Sequence, residues 1–237
     1  MRGWIVTATG TGVGKTWLAR GLARALVRRG LRVAAVKPVE TGCEPVAADA
    51  EALARACRRP ELASAPGFVR YRAPLAPLAA VMEGEPVPPP LEALAAAVRA
   101  AVGDSVGLVE GAGGVLVPLD EAHDFADLFS RLQMPVLLVA PDRLGVISET
   151  RCALEAARSR GLRIDAIVLS RFVPTDRSRA TNATILERRT GLPVLAFEAL
   201  PDDDEALADA AEPLLDRLRR MGRLPFELGA AAGHSTG

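Results

Sequence analysis

At 237 residues, almost half of them hydrophobic, the chain can bury a substantial core in one large unit or two small ones. Its 29 basic side chains are balanced by 29 acidic ones, which argues against the basic surface of a general nucleic-acid binder. No long apolar run escapes a charge and the opening MRGWIVTATG lacks the order of a signal peptide, so a soluble cytoplasmic protein without a membrane span is expected.

The first predicted strand, WIVTAT (4–9), runs directly into TGTGVGKT (9–16). Glycines at alternate positions let the backbone turn tightly with its N–H groups pointing inward, which suits a polyphosphate. The segment departs from the phosphate-loop pattern G-x-x-x-x-G-K-[ST] only in carrying Thr9 at the first position, and it has the required strand before it and helix after it. On this reading the amides of Gly12, Val13, Gly14, Lys15 and Thr16 hold the β-phosphate of a nucleotide. Lys15 adds charge near the β- and γ-phosphates, and the Thr16 hydroxyl is offered to Mg²⁺. In the helix that follows, Ala19, Leu22, Ala23 and Leu26 form an apolar stripe, Arg20, Arg24 and Arg28 lie largely off it, and Gly30 is the stop.

The second predicted strand, RVAAVK (32–37), leads into KPVETG. Lys15 and Lys37 are the only lysines of the chain, arginine filling every other basic position, and both follow predicted strands. Pro38 fixes the backbone as it leaves the sheet, holding Lys37 near the strand's carboxyl end beside Lys15. Two ammoniums there suit a reaction with more negative charge than a nucleotide alone supplies. Asp49 opens a helix in AADAEALARA, where a helix cap and a metal ligand are both open readings, and Glu51 competes with it for the second role.

Residues 72–90 are proline-rich and expected to be irregular apart from a helical turn in PLAAVMEG, whereas LEALAAAVRAAV (91–102) reads as a helix. The strand VGLVE (106–110) ends in Glu110 and enters the glycine turn EGAGG. A carboxylate at that strand end can complete the oxygen ligands of Mg²⁺, because neighbouring strand ends in an open α/β sheet converge on one crevice. PVLLVA (135–140), IDAIVLS (164–170) and PVLAF (193–197) complete the strands. None alternates polar with apolar residues, which predicts an α/β fold with a mostly parallel central sheet and helices on both faces. An acidic turn, PDDDE, precedes a last helix to about residue 220. Residues 1–222 then read as a single α/β domain and 223–237 as a partly disordered tail. Cys43, Cys57 and Cys152 have no C-x-x-C spacing and read as small buried or half-buried residues; His123 reads as part of a polar loop or helix start.

Taken together, VTATGTGVGKT (6–16), VKPVETG (36–42), Asp49, YRAPLAP (71–77), VEGAGGVLVPL (109–119) and PVLLVA followed by RLGVIS (143–148) make the chain resemble the dethiobiotin synthase family. That resemblance implies a phosphate-loop NTPase-like, ATP-binding domain and an ATP- and Mg²⁺-dependent cyclo-ligase of biotin synthesis acting on 7,8-diaminononanoate. One amine takes up CO₂ as a carbamate, the carbamate oxygen attacks the γ-phosphate to give a carbamic-phosphoric anhydride, and the second amine closes the ureido ring. By position the resemblance implies Thr16, Asp49 and Glu110 as Mg²⁺ ligands, with Lys37, Lys15 and Thr11 catalytic and Lys37 facing carbamate and γ-phosphate. Thr11 and Thr41 would donate hydroxyls to phosphate or carbamate, and Gly113 and Gly114 would lie along the substrate. It also implies a homodimer with the substrate site at its interface, where Leu144, Gly145 and Ser148 begin a helix aimed at the substrate carboxylate and Glu149 points away. No nucleic-acid or membrane partner is implied. At the adenine-facing position, where the family carries Asn, this chain has Ser170, whose hydroxyl cannot make an amide's paired contacts. Two related classes would need other features: an amide synthetase a glutaminase segment with a nucleophilic cysteine, and a partitioning ATPase a second lysine near Gly10 or Thr11. The chain shows neither.

Overall fold

The computed structural model describes residues 1–171, 176–198 and 202–227. In chain order the elements are β1 (Gly3–Ala8), α1 (Lys15–Arg28), β2 (Val33–Val36), β3 (Val39–Glu40), α2 (Ala48–Ala56), β4 (Val69–Arg70), α3 (Pro77–Met82) and α4 (Leu91–Val102). They continue with β5 (Val106–Glu110), α5 (Phe125–Leu132), β6 (Val136–Pro141), α6 (Val146–Ser159), β7 (Ile164–Arg171), α7 (Arg179–Thr190), β8 (Val194–Glu198) and α8 (Asp204–Arg220). The predicted main-sheet strands and the helix over 91–102 fall within a residue of these limits.

β2, β5, β1, β6, β7 and β8 lie side by side in that order, and each neighbouring pair is parallel. Parallel strands need crossover connections, and these are right-handed. α1 carries the chain from β1 outward to β2, while α4, α5, α6 and α7 carry it in the opposite direction along the sheet. The two groups therefore lie on opposite faces, and the packing agrees: α1 lies against α2 and α8, α4 against α5, and α6 against α7. With both faces covered, strands such as VGLVE and VLLVAP are buried along their whole length, which is why their sequences do not alternate. The predicted α/β sheet is thus observed.

Local pairing added what periodicity could not show. β3 and β4 form a separate two-stranded parallel ladder, Val39 opposite Val69 and Glu40 opposite Arg70, too short for any pattern to announce. The helical turn expected within the proline-rich stretch is α3, which starts with Pro77 where a missing N–H does no harm. On α1, the stripe of Ala19, Leu22, Ala23 and Leu26 is fully buried. The arginines beside it meet the acidic side of α8 and the turn before it: Arg20 pairs with Asp202 (2.5 Å) and Asp204 (2.7 Å), Arg28 with Asp209 (2.5 Å), and Arg24 with Glu205. Cys57 is buried and Cys43 half-buried as expected, but Cys152 is exposed. It sits off the stripe of Val146, Thr150, Leu154 and Ala157 through which α6 is buried. His123 lies in the turn before α5 with Nδ1 3.1 Å from Asp120, and Asp124 and Asp127 cap that helix reciprocally.

Residues 223–227 of the expected tail are docked, the Phe226 ring meeting Trp4 edge-on at 5.1 Å between centroids; residues 228–237 lie outside the described residues. Among the described residues no helix is long and apolar enough to cross a membrane. Trp4 is fully buried in β1 and its indole Nε1 donates to Asp165 Oδ2 at 3.1 Å. Burial raises the pKa of Asp165, which the Trp4 hydrogen bond partly offsets. Trp4→Phe removes this donor from a buried carboxylate, and a loss of about 1–3 kcal/mol in urea unfolding is expected. An unchanged midpoint would contradict that accounting.

Candidate active site

The loop after β1 departs from the strict phosphate-loop pattern at a position where glycine is not required. Thr9 still belongs to the ladder, its N–H donating to Val139 O at 3.0 Å, so the turn proper begins at Gly10. Gly12 and Gly14 adopt φ of 71° and 93°, in the left-handed region that a side chain resists. Gly14 caps α1 without offering a side-chain acceptor, and no acid occupies the first turn. The helix's leading amides and the positive end of its dipole are therefore left to whatever enters the space above them.

That space is a cavity of about 740 Å³ over the carboxyl ends of β1, β2 and β5. Thr11 to Trp17, Lys37, Thr41, Asp49, Glu110, Ala112 and Gly113 line it, and Val117 with Pro74 to Pro77 supplies a more apolar wall. At its floor the Lys37 ammonium donates to Glu110 Oε1 at 2.9 Å and to Asp49 Oδ2. The Thr16 hydroxyl donates to the same Glu110 oxygen at 2.8 Å, and Lys15 Nζ turns back to Gly10 O at 3.0 Å. Glu110 is fully buried and its other oxygen, Oε2, has no partner among the described residues, an unusual state for a buried carboxylate oxygen. Among the described residues no group of three or more His, Cys, Asp or Glu side chains could hold a metal by itself. A metal here would share its coordination with hydroxyl, phosphate and water oxygens.

The two lysines differ electrostatically. Burial disfavours the charge on Lys15 and Lys37 repels it, so its pKa falls to about 8 despite the attraction of Glu110 and Asp49. Burial also opposes the charge on Lys37, but direct contact with Glu110 and Asp49 outweighs it and the pKa rises. Phosphate oxygens brought to Lys15 would restore the ordinary preference for its ammonium. ADP binding without metal is therefore expected to take up on the order of half a proton near pH 8, fading toward pH 7 where Lys15 is already charged. Calorimetry in buffers of different ionisation enthalpy measures the uptake, and none between about pH 7 and 9 would contradict the assignment.

Of the residues singled out in the sequence, Thr11, Gly12, Val13, Gly14, Lys15, Thr16, Lys37, Thr41, Asp49, Glu110 and Gly113 come together around the cavity. Gly114 does not line it and instead lies against the backbone of Ala8 and Thr9. Asp49 is not a helix cap: Ala47 holds that position in α2 and the Asp49 carboxylate turns to Lys37. Glu51 faces a different groove, with Phe68 and Arg70. Ser170 is buried at the end of β7, its carbonyl accepting from Asp142 N at 2.8 Å, away from the cavity lining. Leu144, Gly145 and Ser148 are exposed at the start of α6, and Glu149 pairs with Arg143 at 2.9 Å.

The sequence reading missed the support around these groups. Glu40 accepts from the Asp49 and Ala50 amides at 2.8 and 2.9 Å. Arg70 donates to the carbonyls of Lys37 (3.0 Å), Val69 (2.9 Å) and Ala63 (2.9 Å). Trp17 and the wall from Pro74 to Pro77 were also missed, although two prolines in YRAPLAP mark a segment of fixed backbone.

Comparison with known proteins supplies the context. A family model described as an AAA domain matches residues 2–206. The ATP-dependent dethiobiotin synthetase BioD of Anaeromyxobacter dehalogenans is 43% identical over 80% of this chain and 86% of its own. That of Caulobacter vibrioides is 44% identical over 72% and 80%, and that of Haloferax mediterranei 36% identical over 94% and 96%. Among solved structures, the cell division ATPase MinD of Pyrococcus furiosus superimposes with a TM-score of 0.55 at 18% identity, covering 92% of this chain and 100% of that one; it shares the fold.

Proposed function

The chain belongs to the ATP-dependent dethiobiotin synthetase family, and from that membership we propose that its cavity carries out the ATP-driven closure of a ureido ring from 7,8-diaminononanoate and CO₂. It is an ATP-dependent ligase of biotin biosynthesis. The observation that carries the site assignment is the placing of Lys37, held by Glu110 and Asp49 in the same cavity as Lys15 and the open amides at the start of α1.

In this reading the amides of Gly12 to Thr16 bind the β-phosphate and Lys15 turns from Gly10 O to the γ-phosphate. A carbamate formed on one amine must bring an anionic oxygen to that phosphate, and two anions repel. Lys37, fixed from both sides, offsets the repulsion and aligns the pair. The Thr11 and Thr41 hydroxyls donate to phosphate or carbamate, the Gly113 backbone lies along the substrate, and Val117 with the proline wall suits its alkyl chain. Ring closure then transfers the carbonyl carbon to the second amine with phosphate leaving.

Thr16, Asp49 and Glu110 fit a hard divalent cation such as Mg²⁺. Their donors are all oxygen, and Oε2 of Glu110, unpartnered among the described residues, is a buried acceptor that a positive charge would satisfy. When bound, Mg²⁺ would neutralise charge on the β- and γ-phosphates. We take residues 1–222 as one ATP-binding domain and the protein as a cytoplasmic homodimer, with Ser170 facing adenine. Leu144, 76% exposed at the start of α6, together with Gly145 and Ser148 would meet the substrate carboxylate in the partner's site.

ADP formation measured with ATP and Mg²⁺ tests the assignment. Release that requires both the diamine and CO₂ is expected. Hydrolysis indifferent to the diamine but stimulated by DNA or membranes would contradict it.

A further inference from the structure

A helix leaves its first amides without partners, and most helices meet that need with a side chain at the cap. α2 does not: its cap residue is Ala47 and no side chain of its own bonds the first turn. A carboxylate from another element takes the role. Glu40, on β3 and 4% exposed, commits Oε1 to Asp49 N at 2.8 Å and Oε2 to Ala50 N at 2.9 Å. Both contacts lie at the positive end of the α2 dipole, where a carboxylate is favoured.

Glu40 is itself anchored. Its carbonyl accepts from Tyr71 N at 2.9 Å within the β3–β4 ladder, and Arg70, opposite it in that ladder, donates to the Lys37 carbonyl at 3.0 Å. The same small ladder therefore holds the backbone of Lys37 on one side and the first turn of α2 on the other. Because both Glu40 oxygens are occupied by amides, the Lys37 ammonium is left to Asp49 and Glu110.

We propose that Glu40 is a positioning residue that fixes the Asp49 carboxylate over the cavity by capping α2 from β3. The inference rests on the reading of Asp49 as a metal ligand. Outer partners of a metal ligand act by restricting its orientation, and their loss weakens metal binding about 10–100-fold. A residue that serves only the stability of α2 has no reason to discriminate between metal and nucleotide.

The test uses the full chain and Mn²⁺, followed by electron paramagnetic resonance in the presence of saturating ADP, with ADP affinity measured separately in EDTA. Glu40→Ala is expected to weaken Mn²⁺ binding about tenfold while ADP affinity without metal stays within about twofold. Glu40→Gln keeps one acceptor oxygen and is expected to fall between the two; it carries the test if Glu40→Ala does not fold. Mn²⁺ affinity unchanged in a folded variant, or lost in parallel with metal-free ADP binding, would overturn the inference. Ring closure by the unaltered protein is scored independently. Its absence alongside a selective Mn²⁺ defect would overturn the proposed function and leave the role of Glu40 standing; ring closure with unchanged Mn²⁺ affinity would do the reverse.

Discussion

Lys37→Ala is expected to slow ring closure by about 10²–10³-fold at saturating nucleotide and metal, the effect of deleting one preorganised charge from a transition state. The ammonium lies between Glu110 and Asp49, so its removal also leaves a fully buried carboxylate that keeps the Thr16 hydroxyl as a partner. Breaking a buried ion pair from one side costs about 3 kcal/mol. Only the Glu110 half counts toward that figure, because the Asp49 side chain is 40% exposed and water screens it. The diagnostic feature is a split between binding and turnover. Lys37→Ala frees two carboxylates, so metal affinity should hold or rise while turnover collapses, whereas Glu110→Gln should lose both. Turnover within about tenfold of the unaltered protein would remove Lys37 from the chemistry.

Gly21→Val is expected to destabilise the fold by about 3 kcal/mol or more, the upper range for overpacking a tight contact. Gly21 lies on α1 where α8 crosses it, and a Cβ there would come 2.5 Å from Leu207 O and 3.1 Å from Leu207 C. These are backbone atoms of a helix, so relief requires α8 to move as a body. Buried Leu207, Ala208, Ala211 and Leu215 on α8 would lose their seat against the core. The pair Arg28–Asp209 cannot hold the helices in the old geometry, since such a largely exposed bridge contributes about 1 kcal/mol or less. The thermal midpoint should fall by roughly 6–12 °C for a chain of this size. Because α1 begins in the phosphate loop, nucleotide affinity should fall with it. A midpoint within about 2 °C of the unaltered protein would show that α8 is not packed at this distance.

The sheet was legible because covering both faces leaves a mark along every main strand: an unbroken apolar run between breakers. The floor of the site was legible for a related reason. Lys15, Thr16, Lys37 and Glu110 each lie at or just beyond the carboxyl end of a recognisable strand, and a parallel sheet brings those ends to one edge. What stayed hidden depends on contacts between distant segments. Arg20 meets Asp204 from 184 positions away, and nothing within α1 distinguishes an arginine that faces water from one under α8. Glu40 shares a motif with Lys37 but acts on α2 through a ladder of two residues per strand, below the length at which alternation can be read. Cys152 shows the converse: a residue type that is usually buried lies at a position its helix turns outward. The hydroxyl, amide and carboxylate groups were readable one by one; their mutual support was not.

The most direct test is incorporation of labelled CO₂ into an acid-stable product by the purified chain with 7,8-diaminononanoate, ATP and Mg²⁺. Free carbamates lose their label in acid, whereas a closed ureido ring keeps it. Stable label that requires diamine and ATP together, and that falls about 10²–10³-fold in Lys37→Ala, is the predicted result. ATP binding without acid-stable label under any of these conditions would contradict ring closure as the function of this cavity.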